Sequence, residues 1–162
     1  MLSHMISAHE SAATGWFVDR VRDTALAPPP RTGRMTLVER EVSRRALMPP
    51  LHAHEDDVSY YVLSGSLTFF VGDEVVSARG GEVVVVPRDV PHTFRVESDR
   101  ARFHILARVT SARAFEDFGL ALAEAADEWA SDEEREAVGA LAAGAGIRVL
   151  GPPGMLPAAL AA

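Results

Sequence analysis

Three histidines have the residue type and spacing of a metal site. His52 and His54 are separated by one residue, and His92 follows a second proline-containing segment further along the chain. Residues i and i+2 of a β-strand point to the same face, so His52 and His54 could act together with a third imidazole from a neighbouring strand. The chain has no cysteine, so a transition-metal site must be built from histidine, carboxylates and water. Convergence of these residues would create a metal site inside a small β-barrel.

Short strand patterns separated by turn residues dominate the middle of the chain, and these strands would have to position the histidines. We predict strands over residues 16–21, 35–42, 59–63, 66–71, 74–78, 83–86, 92–96 and 101–109. Gly72-Asp73 lies between two of them and favours a hairpin. Many short strands separated by glycine-containing turns are typical of a β-sandwich or barrel.

The pattern becomes helical after residue 110. Phe115, Phe118 and Leu122 share one helical face, and the run 131–134, Ser-Asp-Glu-Glu, is a capping box that begins a second helix. A short extended piece follows at 147–150. We expect a loose arm over 1–14, a barrel over 15–110, and helices and a tail over 111–162 that pack on the barrel. A lid or a dimer contact is the functional alternative for this helix pair.

Composition excludes several classes of function. The chain has 162 residues, which suits one domain, and its net charge of −7 argues against nucleic acid or an anionic membrane as the main partner. The first residues lack the apolar run of a signal peptide, and no stretch is long enough for a membrane helix. We therefore expect a soluble, cytoplasmic protein.

The paired histidine motifs resemble those of the cupin superfamily, and most closely the bacterial single-domain quercetin dioxygenase-like cupins. In the first motif two histidines flank one residue, and a glutamate and then a glycine follow; His52, His54 and Gly65 match it. In the second, a glycine, a proline and a histidine match Gly81, Pro87 and His92. The resemblance covers roughly residues 15–153. It implies an all-β fold, the cupin double-stranded β-helix or jelly-roll barrel, with a short C-terminal helical extension.

The chain departs from the family pattern at the position of the metal-binding glutamate. Counting back from Gly65 by the motif spacing places Val58 there, with Asp57 beside it. Three interpretations follow. The histidines bind metal unaided, with water in the other positions; a local bulge turns Asp57 inward as a substitute ligand; or the site is empty or binds metal weakly. The second motif also has Asp89 where a glycine is usual.

The family geometry implies an apolar pocket beside the metal. Its expected wall residues are Val58, Tyr60, Val62, Phe70, Phe94 and Val96. Simple core packing is the alternative for the two phenylalanines. The Tyr60 hydroxyl could hydrogen-bond a metal-bound substrate or stabilise a developing oxyanion, so Tyr60 is the candidate catalytic residue. We expect His104, on a later strand, to face outward.

The resemblance implies a function as well as a fold. The first hypothesis is a dioxygenase-like oxidoreductase that holds iron, nickel, manganese, cobalt or zinc on His52, His54 and His92. Its substrate would be a small aromatic or other hydrophobic molecule that bears oxygen. The alternatives are a non-catalytic cupin that binds a small molecule, and a metal-dependent isomerase or cyclase. A homodimer through the outer strands is the assembly that the family implies.

Overall fold

A computed structural model describes residues 15–18, 21–25, 35–108, 114–115, 117–119, 121 and 131–161. The arm expected over 1–14 lies outside the described residues, as does Leu122. Residues 15–18 and 21–25 are described by their backbone alone.

Strands of the described residues form two antiparallel sheets. In chain order they are β1 (Gly15–Val18), β2 (Val21–Ala25), β3 (Met35–Ser43), β4 (Pro50–His54), β5 (Val58–Ser64), β6 (Ser66–Val71), β7 (Glu74–Arg79), β8 (Val83–Val86), β9 (His92–Val96), β10 (Arg100–Arg108) and β11 (Ile147–Pro153). One sheet has the order β1-β2-β3-β10-β5-β8, and the other has the order β11-β4-β9-β6-β7. The all-β prediction is therefore confirmed.

The strand predictions agree closely with the structure except at the N-terminal end. The strands over 66–71, 83–86 and 92–96 are found with the predicted bounds. The single strand expected over 16–21 is wrong, because the backbone forms two strands there, β1 and β2, that pair as a hairpin. The histidine segment is itself a strand, β4, although it has no alternating polar pattern and all five of its residues are buried.

The core lies between the two sheets and follows from strand alternation. On β10 the residues Ala101, Phe103, Ile105 and Ala107 are buried, while the residues between them are wholly or partly exposed. Their counterparts on β6, Leu67 and Phe69, point inward from the other sheet. Burial of one such large apolar side chain stabilises the fold by about 1.5–3 kcal/mol. The apolar positions with period two thus define the inner faces.

Gly65 sets the connection between β5 and β6. Its φ is +78°, in the left-handed region, and a Cβ added there would overlap the carbonyl oxygen of Arg100 and the hydroxyl of Ser98. Only glycine tolerates both conditions without a shift of the backbone. The glycine that matches the first motif is therefore required by the turn that follows β5.

The C-terminal part of the chain returns to the histidine sheet. Helix α1 (Asp132–Gly144) begins at the predicted capping box, in which the Ser131 hydroxyl accepts from the Glu134 backbone N–H. After Gly146, β11 pairs antiparallel with β4, and Ile147 lies opposite His54. Strand β4 is therefore held on both edges. Among the described residues, no helix combines the length and the apolar character needed to cross a membrane.

Candidate metal centre

The three histidines converge in the interior of the barrel. His52 and His92 are direct register partners on the adjacent strands β4 and β9, and His54 follows on the same face of β4. One ring nitrogen from each residue lies within 4.8 Å of the others. Their exposed fractions are only 7%, 4% and 0% for His52, His54 and His92. This arrangement suits three ligands for one metal ion.

Hydrogen bonds to the backbone orient two of the rings. His52 Nδ1 donates to the carbonyl oxygen of Pro50 at 2.8 Å, and His92 Nδ1 donates to that of Val90 at 2.9 Å. An imidazole whose Nδ1 carries the proton presents the lone pair of Nε2. Such partners fix the tautomer and direction of a metal-binding histidine. Both rings are therefore pre-set to offer Nε2.

Burial keeps the histidines neutral. Desolvation, together with the His92 imidazole, lowers the pKa of His54 to about 3, and desolvation lowers the pKa of His92 to about 4. The pKa of His52 is held well below its usual range, first by desolvation and then by His92 and His54. Only the neutral imidazole binds a metal. At neutral pH the three side chains are in the form that a metal requires.

Tyr60 lies beside this group with its hydroxyl directed at it. Its Oη is 3.2 Å from His92 Nε2, and because Nδ1 of that ring donates elsewhere, the hydroxyl donates to Nε2. Burial raises the pKa of Tyr60, so the phenol stays protonated. Its ring is packed against Phe69, with Phe94 and Phe103 nearby. This packing holds the hydroxyl at the edge of the candidate centre.

No carboxylate of the described residues joins the three histidines. Val58, which occupies the glutamate position, is 1% exposed and lies opposite Val86. Asp57 turns away: its Oδ1 accepts from the Arg88 backbone N–H at 2.9 Å, and its side chain is 59% exposed. The interpretation in which Asp57 supplies a fourth ligand is therefore wrong for this structure. The residue is occupied in closing the loop before β9.

A cavity of about 30 Å³ lies next to the histidines. That space holds roughly two water molecules at ~10–15 Å³ each. Most of its walls are apolar or aromatic, and the lining residues are Arg40, Pro49, His52, His54, Tyr60, Phe94, Ile105, Phe115, Phe118, Gly119 and Ile147. An organic ligand of any size would have to displace part of this lining.

The structure distributes the predicted pocket residues between the cavity and the core. Tyr60 and Phe94 line the cavity. Val58, Val62 and Val96 are buried on the inner faces of their strands but belong to the core rather than to the cavity lining.

The inward position predicted for Phe70 is wrong. Phe69 lies opposite the inward-facing Phe94, whereas Phe70 lies opposite Thr93, on the other face of the sheet. The exposed guanidinium of Arg95 stands 5.7 Å from the centre of the Phe70 ring. Two adjacent phenylalanines satisfy strand alternation in either register, so the sequence pattern could not separate them.

Several lining residues were missed by the sequence argument. Among them, Arg40 comes from β3, Ile147 comes from β11, and Phe115 and Phe118 come from the described helical residues 114–115 and 117–119. The spacing of the two phenylalanines predicts their shared face, but only the tertiary structure shows that this face covers the cavity. His104 lies on the outer face, where Nε2 is 3.2 Å from a Glu39 carboxylate oxygen.

The donor set fits a divalent transition metal. Three neutral imidazoles with open positions form a working arrangement for zinc and for related ions. The rings are buried and two are oriented by the backbone. The Tyr60 hydroxyl, which donates to His92 Nε2 in this structure, would give up that lone pair to the ion. His52, His54 and His92 are the residues that would hold the ion.

Comparisons with known proteins agree with this architecture. The cupin domain model matches residues 39–107. The polyketide cyclase RemF from Streptomyces resistomycificus is 27% identical, with a TM-score of 0.54 over 64% of this chain and 79% of RemF. No curated protein matches the sequence.

Two further solved structures are similar at lower identity. A cupin-2 domain protein from Rhodospirillum rubrum is 21% identical over 55% of this chain and 60% of its own, with a TM-score of 0.49. A cupin superfamily protein from Desulfitobacterium hafniense is 17% identical over 56% and 78%, also with a TM-score of 0.49. The domain match over residues 39–107, the similarity to RemF and the buried three-histidine group between two antiparallel sheets together support a cupin fold for this chain.

Proposed function

We propose that this protein is a metal-dependent cyclase that closes a ring in a small substrate rich in carbonyl groups, without net oxidation. The observation that carries the proposal is the buried group of three neutral histidines beside an apolar cavity, with no carboxylate of the described residues among the donors. The similarity to a polyketide cyclase, at 27% identity and a TM-score of 0.54, favours this reaction class over others.

The reaction is an intramolecular aldol condensation. A carbon next to a carbonyl loses a proton and forms a carbon–carbon bond to a second carbonyl carbon, whose oxygen gains a proton. Loss of one water molecule and enolisation then give an aromatic ring. The reaction balances without an oxidant. It requires a site that polarises a carbonyl group, and it requires no transfer of electrons to or from that site. A bound divalent ion would supply Lewis-acid polarisation of a carbonyl oxygen.

The residues of this chain have separate roles in the proposal. The histidines hold the ion. The Tyr60 hydroxyl, which donates to His92 Nε2 in this structure, would donate instead to a substrate oxygen on which negative charge develops. Phe94, Phe115 and Phe118 form the aromatic wall of the cavity; they would have to move apart to admit the substrate and would then lie against the product ring.

Ring closure of a simple triketone tests the proposal. Diacetylacetone yields the aromatic product orcinol on closure with loss of water, and chromatography with ultraviolet detection follows the product. We expect acceleration by protein loaded with zinc, manganese, cobalt, nickel or iron(II), and no acceleration by His92→Ala. Tyr60→Phe should keep the metal and lower the turnover rate by about 100-fold, the usual effect of losing one donor to a developing oxyanion.

His104→Asn is the matched control, since it removes an imidazole from the outer face of the barrel. It should cyclise the triketone at the wild-type rate. Absence of ring product from diacetylacetone and from longer linear polyketones, with every metal bound in stoichiometric amount, would overturn the proposal.

A dioxygenase-like oxidoreductase is the second candidate. Three histidines leave coordination positions open for both an oxygen-bearing substrate and dioxygen, which favours it. Oxygen consumption with a flavonol or a diketone, by iron(II)- or nickel-loaded protein, separates the two. Oxygen consumption that His92→Ala abolishes, together with the absence of ring product from the triketone, would exclude the cyclase and support the dioxygenase. Stoichiometric metal without either reaction would indicate a non-catalytic binding protein.

A further inference from the structure

The cavity beside the histidines is too small for an organic ligand in this structure. Its volume of about 30 Å³ is far below the ~300–1,000 Å³ of a usual small-molecule pocket. Phe115 and Phe118, which line it, are only 7% and 5% exposed. A ligand that reaches the histidines must therefore displace part of the wall, at a cost that depends on how each lining residue is held.

Most of the wall stands on strands that are hydrogen-bonded along both edges. Strands β3, β4, β5, β9 and β10 each have a partner strand on either side. The lining residues that they carry are Arg40, His52, His54, Tyr60, Phe94 and Ile105. Displacing one of these strands would break two ladders, and buried backbone groups that are left unpaired are costly.

The aromatic rings on these strands also hold one another in place. The Tyr60 ring contacts Phe69 at 5.1 Å between centroids, and Phe94 meets Phe103 edge-on at 5.3 Å. A new rotamer of either lining ring would leave a void in the core, where packing is dense. The strand side of the wall is therefore rigid in its backbone and in its side chains.

The remaining strand and loop residues of the wall are anchored as well. Ile147 on β11 is 1% exposed and lies opposite His54 in the ladder with β4. The carbonyl oxygen of Pro49 accepts from the hydroxyl of Thr93, a fully buried residue of β9, at 2.8 Å. Both residues are thus fixed to the strands that carry the histidines.

Phe115 and Phe118 differ from the rest of the wall because they belong to neither sheet. They are helical residues, and their rings join the hydrophobic core by side-chain packing. Moving them outward exposes apolar surface but breaks no ladder of the two sheets. This part of the wall is therefore the one that opens at the lowest cost.

A close contact outside the cavity holds these helical residues in place. Ala114, next to Phe115, packs against the C-terminal end of α1 at Gly144. A Cβ added to Gly144 would lie 3.3 Å from the Ala114 Cβ, which is tighter than an ordinary van der Waals contact. The absence of a side chain at Gly144 thus allows Ala114 to approach α1 and Phe115 to reach the cavity.

We propose that Phe115 and Phe118 form the gate of the site. A ligand reaches the three histidines when these two rings move away from the cavity and Ala114 separates from Gly144, while the strand side of the wall stays in place. The proposal rests on the proposed function for the site that is entered, and deepens it by naming the residues that admit the substrate.

Chemical modification of the metal-free protein tests the gate. Diethyl pyrocarbonate acylates neutral imidazoles, and mass spectrometry of peptides follows the rate at each histidine. In wild type, His52 and His54 should react much more slowly than His104, whose side chain is 27% exposed on the outer face. Phe118→Leu should raise the rates at His52 and His54 by about tenfold, because local opening then exposes less apolar surface.

Gly144→Leu tests the same gate without changing the cavity lining. Its side chain should push Ala114 away from α1 and raise the rates at His52 and His54, with the rate at His104 unchanged. It also serves as the readout if Phe118→Leu does not fold. Gly139→Leu is the matched control on the same helix, because a Cβ at Gly139 meets no atom within 4 Å.

Val62→Ala is the control for stability. Val62 is fully buried on β5 and does not line the cavity, so its loss weakens the core without changing the gate. We expect the rates at His52 and His54 in this variant and in Gly139→Leu to stay close to wild type.

Three outcomes would overturn the proposal. They are equal rates at His52, His54 and His104 in wild type, unchanged rates in both Phe118→Leu and Gly144→Leu, or an equal rise in Gly139→Leu or Val62→Ala. The measurement requires neither metal nor turnover. A triketone that is not cyclised would therefore remove the cyclase, while faster modification in the two gate variants alone would still support the gate.

Discussion

The chemistry of each histidine depends on where its two ring nitrogens lie. His52 and His92 each commit Nδ1 to a backbone carbonyl and offer Nε2 to the interior. Val58 contributes no oxygen, and the carboxylate of Asp57 is held by Arg88. Metal affinity should therefore depend on the imidazoles and be independent of the neighbouring acid.

Replacing one histidine and, separately, the neighbouring acid checks this dependence. His92→Ala should lower metal affinity by at least ~100-fold, more than the ~10–100-fold cost of losing a partner that only supports a ligand. Asp57→Ala should leave the metal content of purified protein unchanged. Elemental analysis and competition with a chelator provide both values. Loss of metal from Asp57→Ala would contradict the three-histidine site.

The same burial makes the stability of the metal-free protein dependent on pH. Imidazoles of the unfolded chain take up protons below a pKa of about 6.5, whereas the folded values for His92 and His54 are about 4 and about 3. Between these limits the unfolded state binds more protons, so the free energy of unfolding falls as the pH falls. Each histidine contributes up to ~1.4 kcal/mol per pH unit.

Urea unfolding of the metal-free protein at several pH values between about 7 and 5 measures this slope. His92→Phe should give a shallower slope than wild type, because one buried imidazole is gone. His104→Asn, on the outer face, is the control and should leave the three buried imidazoles and their contribution in place. A free energy of unfolding that does not change over this range would contradict the burial of neutral histidines.

Among the secondary-structure elements, strand β4, which carries His52 and His54, is stabilised by pairing with its neighbouring strands rather than by the β-propensity of its own residues. Strand β4 has β9 on one side and β11 on the other. Asp89, in the loop before β9, has a φ of +62° and donates its N–H to the His54 carbonyl at 2.8 Å. Its carboxylate accepts from Arg148 of β11 at 2.7 Å. Asp89 thus joins the loop before β9 to β4 and, through Arg148, to β11.

Substitution of Asp89 separates its backbone role from its charge. Asp89→Ala should lower the free energy of unfolding by ~1–2 kcal/mol, because a left-handed φ is unfavourable for alanine. Asp89→Gly should recover most of this loss, since glycine adopts that φ freely. Arg148→Met, which removes only an exposed ion pair, should cost less than ~1 kcal/mol. Equal losses in the alanine and glycine variants would contradict the backbone explanation.

The whole molecule has one broad apolar surface among its described residues. Val83 and Val85 on the edge strand β8 are 55% and 59% exposed. Tyr61 on the adjacent strand β5 is 42% exposed, and Leu106 on β10, the next strand of the sheet, is 41% exposed. An exposed apolar surface of this kind is typical of an interface. We propose that it forms the homodimer that the family resemblance implies.

Light scattering after size-exclusion chromatography tests the dimer. Wild type should elute with twice the mass of one chain, and Val85→Lys should shift the equilibrium to the monomer. Val75→Lys is the control, since Val75 is 67% exposed on the edge strand β7 of the other sheet. A monomeric wild-type protein, or dissociation in the control alone, would contradict this interface.

The sequence by itself determined the local features. Alternating apolar residues and glycine turns predict most strands, the capping box predicts the start of α1, and the spacing of His52 and His54 places both imidazoles on one face. These follow from periodicity and from hydrogen bonds between near neighbours, which a short window of residues contains.

The tertiary structure decided which distant residues meet. The register of β6 with β9 places Phe69 inside and Phe70 outside, and the pairing of β3 with β10 directs Arg40 into the cavity beside the histidines. Phe115 and Phe118 line that cavity as well. A shift of one residue exchanges the two faces of a strand at little local cost, so only the packing of both sheets around one core selects the face.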